Sequence, residues 1–204
     1  VMDSASKIVS CMQKAAVLSD LPIPSKEAVE HIIGISLFPA VKQLFNVDDT
    51  KVKELCDHYK FVFVEHDKTA SPLFTGAHDV LNALSKKFTL GVATGKARRG
   101  LLRALSASNS THYFDQTICA DEADSKPSPD MLNQLMQRWN IEPNQSLMVG
   151  DTIYDMQMAE LIEMPRIGVS YGVHNKLALL KHNPLTVIDH LTDLHAIFQT
   201  NIAK

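Results

Sequence analysis

Apolar residues recur at two different periods along this chain, and the change falls near Ser71-Pro72. In the first seventy residues they return every three or four positions. Ile8, Cys11, Met12, Ala15 and Ala16 form one such stripe after Asp3-Ser4, a good N-cap pair. Pro22 and Pro24 interrupt it. Ser25 caps a short second helix through Ala28, Val29, Ile32 and Ile33, expected to end at Gly34. Phe38 to Phe45 predicts a third helix, and Val52, Leu55, Cys56, Tyr59 and Phe63 a fourth. No run in this stretch has the alternation of a strand.

After Ser71-Pro72, apolar runs of strand length alternate with amphipathic helices. Phe88 to Thr94, Gln116 to Ala120, Leu147 to Gly150, Arg166 to Ser170 and, more weakly, Thr186 to Ile188 predict strands. Arg98 to Leu105 predicts a helix. Ser128-Pro129 predicts another, with serine at the N-cap and proline in the first turn, and an apolar face of Met131, Leu132, Leu135, Met136 and Trp139. A last helix carries Leu191, Leu194, Ile197 and Phe198. Alternating strand and helix predicts an α/β fold with a doubly wound parallel sheet.

Composition narrows the classes. Hydrophobic residues make up 45% and charged residues 21% of 204 residues, with a net charge of -3, an ordinary globular balance. The mild acidity argues against a nucleic-acid partner, which calls for a basic stripe. No apolar run approaches membrane-spanning length, and no signal-peptide pattern stands at the start, so the expectation is a cytoplasmic protein with no membrane partner. Cys11, Cys56 and Cys119 lie far apart in apolar contexts and read as reduced core thiols. The nine histidines show no metal-ligand spacing.

The candidate chemistry sits at strand ends. Ser146-Leu147-Met148-Val149 runs into Gly150-Asp151-Thr152, and a second carboxylate, Asp155, follows four residues after the first. A strand that stops at this glycine delivers Asp151 to the sheet's carboxyl edge, where open α/β sheets bind ligands. Hard cations are held by one or two carboxylates plus phosphate oxygens; the bland alternative is a helix N-cap and a surface acid. Val92-Ala93-Thr94-Gly95-Lys96 ends in a hydroxyl and a glycine at a helix entry, where backbone N–H groups can hold a phosphate. In Asp124-Ser125-Lys126-Pro127-Ser128-Pro129, Pro127 biases Lys126 toward an extended backbone, so that its charge can be fixed against a phosphate.

In order and spacing these three segments resemble the haloacid dehalogenase-like phosphohydrolases, most closely the phosphoglycolate-phosphatase-like branch. The resemblance covers essentially the whole chain. It implies that Thr94 and Gly95 bind the phosphoryl group and that Lys126 bridges phosphate and carboxylates. It implies that Asp151 ligates Mg²⁺, and that Asp155 supports the metal or orients Lys126. Leu73-Phe74-Thr75-Gly76 resembles the return from a cap into the core. Residues 5–70 are then expected to form a small all-helical cap, and residues 1–4 and 71–204 the α/β core.

One motif of that family has no counterpart here. Its Asp-x-Asp-Gly-Thr carries the nucleophilic and the general acid/base aspartates at the end of the first strand. Val1-Met2-Asp3-Ser4 resembles the stretch just after it. Asp121 and Asp124, at a later strand, cannot substitute. The expectation is a central strand upstream of Val1, a sheet interrupted between Thr94 and Gly150 without it, and no activity from these residues alone. The whole protein is expected to be a Mg²⁺-dependent phosphatase that hydrolyses a small phosphorylated metabolite through an aspartyl-phosphate. The same fold supports phosphomutases, pyrophosphatases and dehalogenases, and a metabolite-binding protein that lost the first motif is the non-enzymatic alternative. Asp151 and Asp155 favour metal-dependent phosphoryl chemistry over dehalogenation, which needs no metal. Gly34, with Ile33, Ile35 and Ser36, reads as a cap loop facing the site, and an ordinary helix C-cap is favoured there over direct substrate contact. Arg98 and Arg99 read as a solvated helix face rather than an anion attractor, and His174 as a bystander.

Overall fold

A computed structural model describes residues 1–67 and 71–200, the side chains of Gln199 and Thr200 excepted. The helical reading of the first part holds in its elements: α1 (Ala5–Leu18), α2 (Lys26–His31), α3 (Leu37–Phe45) and α4 (Asp49–Phe61). The centre of each predicted stripe in α1, α2 and α4 is buried, while Ile8, Ala28, Ile33 and Tyr59 are half-buried. Val9, Met12 and Ala15 of α1 meet Val29, Val41, Val52, Leu55 and Cys56 in one hydrophobic cluster. Ser25 accepts from the Ala28 amide, and Asp48 from the amides of Thr50 and Lys51, so two helix starts are capped as their sequences suggest. Ser4 takes the N-cap position of α1 but makes no side-chain cap bond.

Three local expectations need correction. Helix α2 ends with Ile32 as its C-cap, not at Gly34, which lies beyond it with φ +118. The strand expected over Phe88–Thr94 is shorter, because the Phe88 amide donates to the Leu84 carbonyl and closes a helix that the sequence reading omitted, α5 (Ala77–Ser85). Only Gly91–Thr94 is extended as β1. The helix expected from Pro129 begins one residue later, as α7 (Asp130–Trp139) with Pro129 as its N-cap, and the Ser128 hydroxyl accepts from the Asp130 amide at 3.3 Å.

The second part is α/β. Its elements continue with α6 (Arg98–Ala107), β2 (Gln116–Cys119), β3 (Met148–Gly150), α8 (Ile153–Glu160), β4 (Arg166–Val169), α9 (Lys176–Leu180), β5 (Thr186–Ile188) and α10 (Asp193–Thr200). All strand pairs are parallel. Among the described residues they form two ladders, β1-β2 and β3-β4-β5. Gly91 pairs with Gln116 in the first, and Met148 with Arg166 in the second. The ladders are joined from one side by α7, whose Met131, Leu132, Leu135 and Met136 pack with Ile118 of β2 and with Met158 and Ala159 of α8. Strands β1 and β3 do not pair. Val92 and Val149, on these two inner strands, line one cavity of about 1790 Å³.

Residues 1–3 run beside the return segment of the second part. Met2 bridges Leu73, the Asp3 amide donates to the Pro72 carbonyl at 2.8 Å, and the Phe74 amide donates to the Val1 carbonyl at 2.9 Å. The expected boundary at residue 70 lies outside the described residues, as do residues 201–204. All three cysteines are buried free thiols. No helix among the described residues is long and apolar enough to cross a membrane.

Candidate active site

Thr94 is the last residue of β1, and Asp151 follows the last residue of β3. Lys126 stands between β2 and α7, beside a cis bond to Pro127. Its ammonium group donates to the Ala93 carbonyl at 3.0 Å and to Asp155 Oδ1 at 2.5 Å. One lysine therefore ties the end of the first ladder to the first turn of α8 behind the second. Thr94, Gly95, Lys126, Asp151 and Asp155 all line the cavity between the ladders.

The two carboxylates differ in their surroundings. Asp155 is 5% exposed and Lys126 6%. Burial by itself raises the Asp155 carboxyl, but the Lys126 charge and hydrogen bond outweigh it, helped by Thr152, and hold it below the ordinary range. The Thr152 amide and hydroxyl donate to Asp155 Oδ2 at 3.1 and 2.8 Å. Both oxygens of Asp155 are thus engaged by the protein. Asp151 moves the opposite way. Burial raises its carboxyl first, and the like charge of Asp155 adds to the rise.

Asp151 is held by the strand end opposite. Val173 donates its amide to Asp151 Oδ2 at 3.0 Å, and the His174 amide donates to the Asp151 carbonyl at 3.0 Å. A Cβ at Gly172 would lie 2.2 Å from Asp151 Cβ, so only glycine lets this loop approach. The imidazole of His174 also takes part. Its Nδ1 accepts from the Ile153 amide at 2.9 Å, which fixes the lone pair on that nitrogen. Burial, with His31 nearby, pushes His174 below its ordinary value, in keeping with a neutral ring. The bystander reading of His174 gives way to that of a support for the Asp151 turn.

A hard divalent cation fits this donor set. Lys126 neutralises Asp155, while Asp151 keeps Oδ1 without a hydrogen-bond partner among the described residues. A buried carboxylate whose charge is disfavoured by burial gains from a cation at that oxygen. A second cluster, Cys119, Asp121 and Glu122, also brings ligand atoms together. It is already engaged by Arg98, whose guanidinium donates to Glu122 at 2.7 and 2.5 Å and to the Thr117 carbonyl at 2.7 Å. Asp121 accepts from the Arg98 amide at 2.9 Å and caps α6. Arg98 is therefore neither a solvated face nor an anion attractor but a clamp between α6 and β2.

The helical part reaches the same cavity through residues 33–36. A Cβ at Gly95 would lie 2.7 Å from the Gly34 carbonyl oxygen and 2.9 Å from that of Ile35. The Ser36 amide donates to Ser125 Oγ at 2.8 Å, next to Lys126, and the Tyr154 hydroxyl donates to the His31 carbonyl at 2.9 Å. The Ser36 hydroxyl is buried with no hydrogen-bond partner among the described residues. The C-cap of α2 is Ile32 rather than Gly34, and the loop at Gly34 faces the site. Thr152 was open to the sequence reading, since Thr152-Ile153-Tyr154-Asp155 has the spacing of a capping box. Gly172 and the role of Ser36 carried no local signal.

Comparison with known proteins shows the family and the fold. The model of the haloacid dehalogenase-like hydrolases matches residues 1–169. A probable phosphatase, IndB, of Dickeya dadantii is 31% identical over 200 residues, 95% of this chain and 87% of that protein. Pyrophosphatase PpaX of Bacillus pumilus is 27% identical, over 85% of this chain and 80% of its own. Among solved structures, a predicted phosphoglycolate phosphatase from Haemophilus somnus superposes with a TM-score of 0.87 at 20% identity, over 97% of this chain and 93% of that one.

Proposed function

The chain belongs to the haloacid dehalogenase-like hydrolase family, and from that premise we propose that the whole protein serves as a Mg²⁺-dependent phosphatase of a small phosphorylated metabolite. The observation that carries the reading is the Lys126 ammonium group, shared between the Ala93 carbonyl and Asp155 on the wall of the cavity that Asp151 also lines. Phosphoryl transfer demands positioning and charge neutralisation more than covalent work from the protein. Thr94 and Gly95 take the phosphoryl oxygens, Lys126 offsets their charge, and Asp155 with Thr152 holds Lys126 in place. Asp151 is the metal ligand. The metal, when bound, supplies Lewis-acid stabilisation of the transferring group.

The nucleophile in this reading belongs to a strand between β1 and β3. Two inner edges facing one cavity suit such a strand, because unpaired buried backbone groups are costly. An aspartate at its carboxyl end would stand among Thr94, Lys126 and Asp151, where it could form the aspartyl-phosphate. The helical part acts as a cap through the loop at Gly34–Ser36. The likeness to a pyrophosphatase favours a second reading, with inorganic pyrophosphate as substrate.

The test is phosphate release with and without Mg²⁺. The 204-residue chain is compared with a version carrying an added amino-terminal strand that ends in Asp-x-Asp-Gly-Thr. Only the extended protein should release phosphate from an aryl phosphate, and Asp151→Asn in it should reduce release to background without unfolding it. Full activity of Asp151→Asn rejects the metal role. Equal activity and equal melting of the two versions reject the inner strand.

A further inference from the structure

Resting on the phosphatase reading, we propose that Tyr154 and His174 are positioning residues that couple the helical part to the metal site. Docking of the helical part on the turn from Asp151 to Asp155 strengthens cation binding there, and cation binding strengthens docking in return. In this reading neither side chain meets the cation or the phosphoryl group. Both act through the backbone of the turn.

The turn is held from two sides. On the α/β side, the His174 amide donates to the Asp151 carbonyl at 3.0 Å, and His174 Nδ1 accepts from the Ile153 amide at 2.9 Å. On the helical side, Tyr154, buried in the first turn of α8, donates its hydroxyl to the carbonyl of His31, the last residue of α2, at 2.9 Å. The rings close the triangle. The His174 ring centre lies 6.0 Å from that of His31 and 5.9 Å from that of Tyr154. Gly34 adds a further contact, since a Cβ there would stand 2.9 Å from Thr152 Oγ1 and 3.1 Å from Tyr154 Cδ2. The loop backbone therefore rests on the residue whose amide and hydroxyl hold Asp155.

This seam is separate from the cavity between the ladders. His31, Ile153 and His174 line a second cleft of about 420 Å³, which among the described residues shares only Val173 with that cavity. A strand entering between β1 and β3 leaves the seam as it is. The coupling follows from order. The first turn of a helix lacks intrahelical partners for its amides and is free to fray until other groups restrain it. Here the restraint on the Asp151 turn comes partly from α2, through Tyr154. A turn already restrained loses less freedom when its carboxylate takes a cation, so affinity rises with docking. Linkage makes the effect reciprocal and equal in size. Tyr154 stands one residue before Asp155, and His174 sits on the carbonyl of Asp151 itself, so the two carboxylates are reached from both ends of the turn.

Hydrogen exchange read by mass spectrometry on the full chain tests this without turnover. Mg²⁺ should slow exchange at the Asp151 turn, and also across α2 and the loop at Gly34 by about fivefold or more, the lower end of ordinary coupling between sites. The double variant Tyr154→Phe, His174→Asn should keep the first effect and lose the second. Asparagine supplies an acceptor for the Ile153 amide and removes the ring that meets His31. A second arm needs no metal. Val29→Ala loosens α2 from within the helical cluster, where Val29 is fully buried. It should speed exchange at the Ile153 and His174 amides, and should not do so in the double-variant background. Mg²⁺ protection confined to the Asp151 turn, with α2 unchanged, overturns the coupling. So does a double variant that transmits Mg²⁺ or Val29→Ala as the wild type does. Mg²⁺ that slows exchange nowhere, or equally in Asp151→Asn, rejects the metal role of the phosphatase reading instead, and the Val29→Ala arm then decides by itself whether the helical part and the turn are coupled.

Discussion

The helical part and the α/β part solve the packing problem differently. The helices share one hydrophobic cluster that runs from Val9 to Cys56, whereas the apolar residues of the α/β part fall into several clusters around two separate ladders. A helix satisfies its backbone internally and needs only a covered stripe, so four short helices can close on themselves. A strand inside a sheet needs a hydrogen-bonding neighbour on each side. The α/β part therefore depends on what joins its ladders. Among the described residues those joints include the apolar face of α7 and one charged group, Lys126.

That contrast breaks most easily at the charge. Lys126→Ala leaves Asp155 buried without its counter-charge and is expected to cost about 3–5 kcal/mol. Chemical denaturation measures the loss, and hydrogen exchange locates it. Amides of β3 and α8 should lose protection while those of α1 and α4 keep theirs. Uniform loss across both parts would show that they unfold as one unit. The converse experiment is Leu55→Ala, which removes a fully buried side chain from the helical cluster. It should cost about 3 kcal/mol and expose α1 and α4 first.

A gentler probe is pH. The folded Asp155 carboxyl lies below its ordinary value of 3.8. Its stabilising contribution is therefore fully present above 3.8 and is lost as pH falls through the lower folded value. Melting temperature should drop on the acid side of that value, and the drop should be shallower in Asp155→Asn. An unchanged acid limb in Asp155→Asn would assign the acid sensitivity elsewhere. The smallest effect belongs to the junction itself. Tyr154→Phe removes the hydroxyl that donates to the His31 carbonyl and should cost about 1 kcal/mol. Exchange protection should then fall at the loop around Gly34 more than inside either part.

Local signals were legible where the sequence carries its own partners. Ser25 caps α2 as its position suggests, and the stripe at Met131, Leu132, Leu135 and Met136 is the buried face of α7. Helix α5 was missed because its closing bond, from Phe88 to Leu84, competes with a stretch of strand-like residues. Gly34 lies beyond the end of α2, held against Thr152, Tyr154 and Gly95, and Ser128 is held by a local turn to Ser125 before α7, neither of which periodicity encodes.

By itself the sequence determined the change from a helical to an α/β part, the order of the strands, the strand ends that bear Thr94 and Asp151, and the presence of Lys126 between them. These are matters of period, punctuation and residue type within a few positions. Only the tertiary structure decided that both oxygens of Asp155 are taken by Lys126 and Thr152, that Gly172 and His174 brace Asp151, and that the Gly34 loop rests on Gly95. The reason is physical. Such contacts join residues distant in sequence, and whether a buried charge is paired depends on which side chains the fold brings within a few ångströms of it.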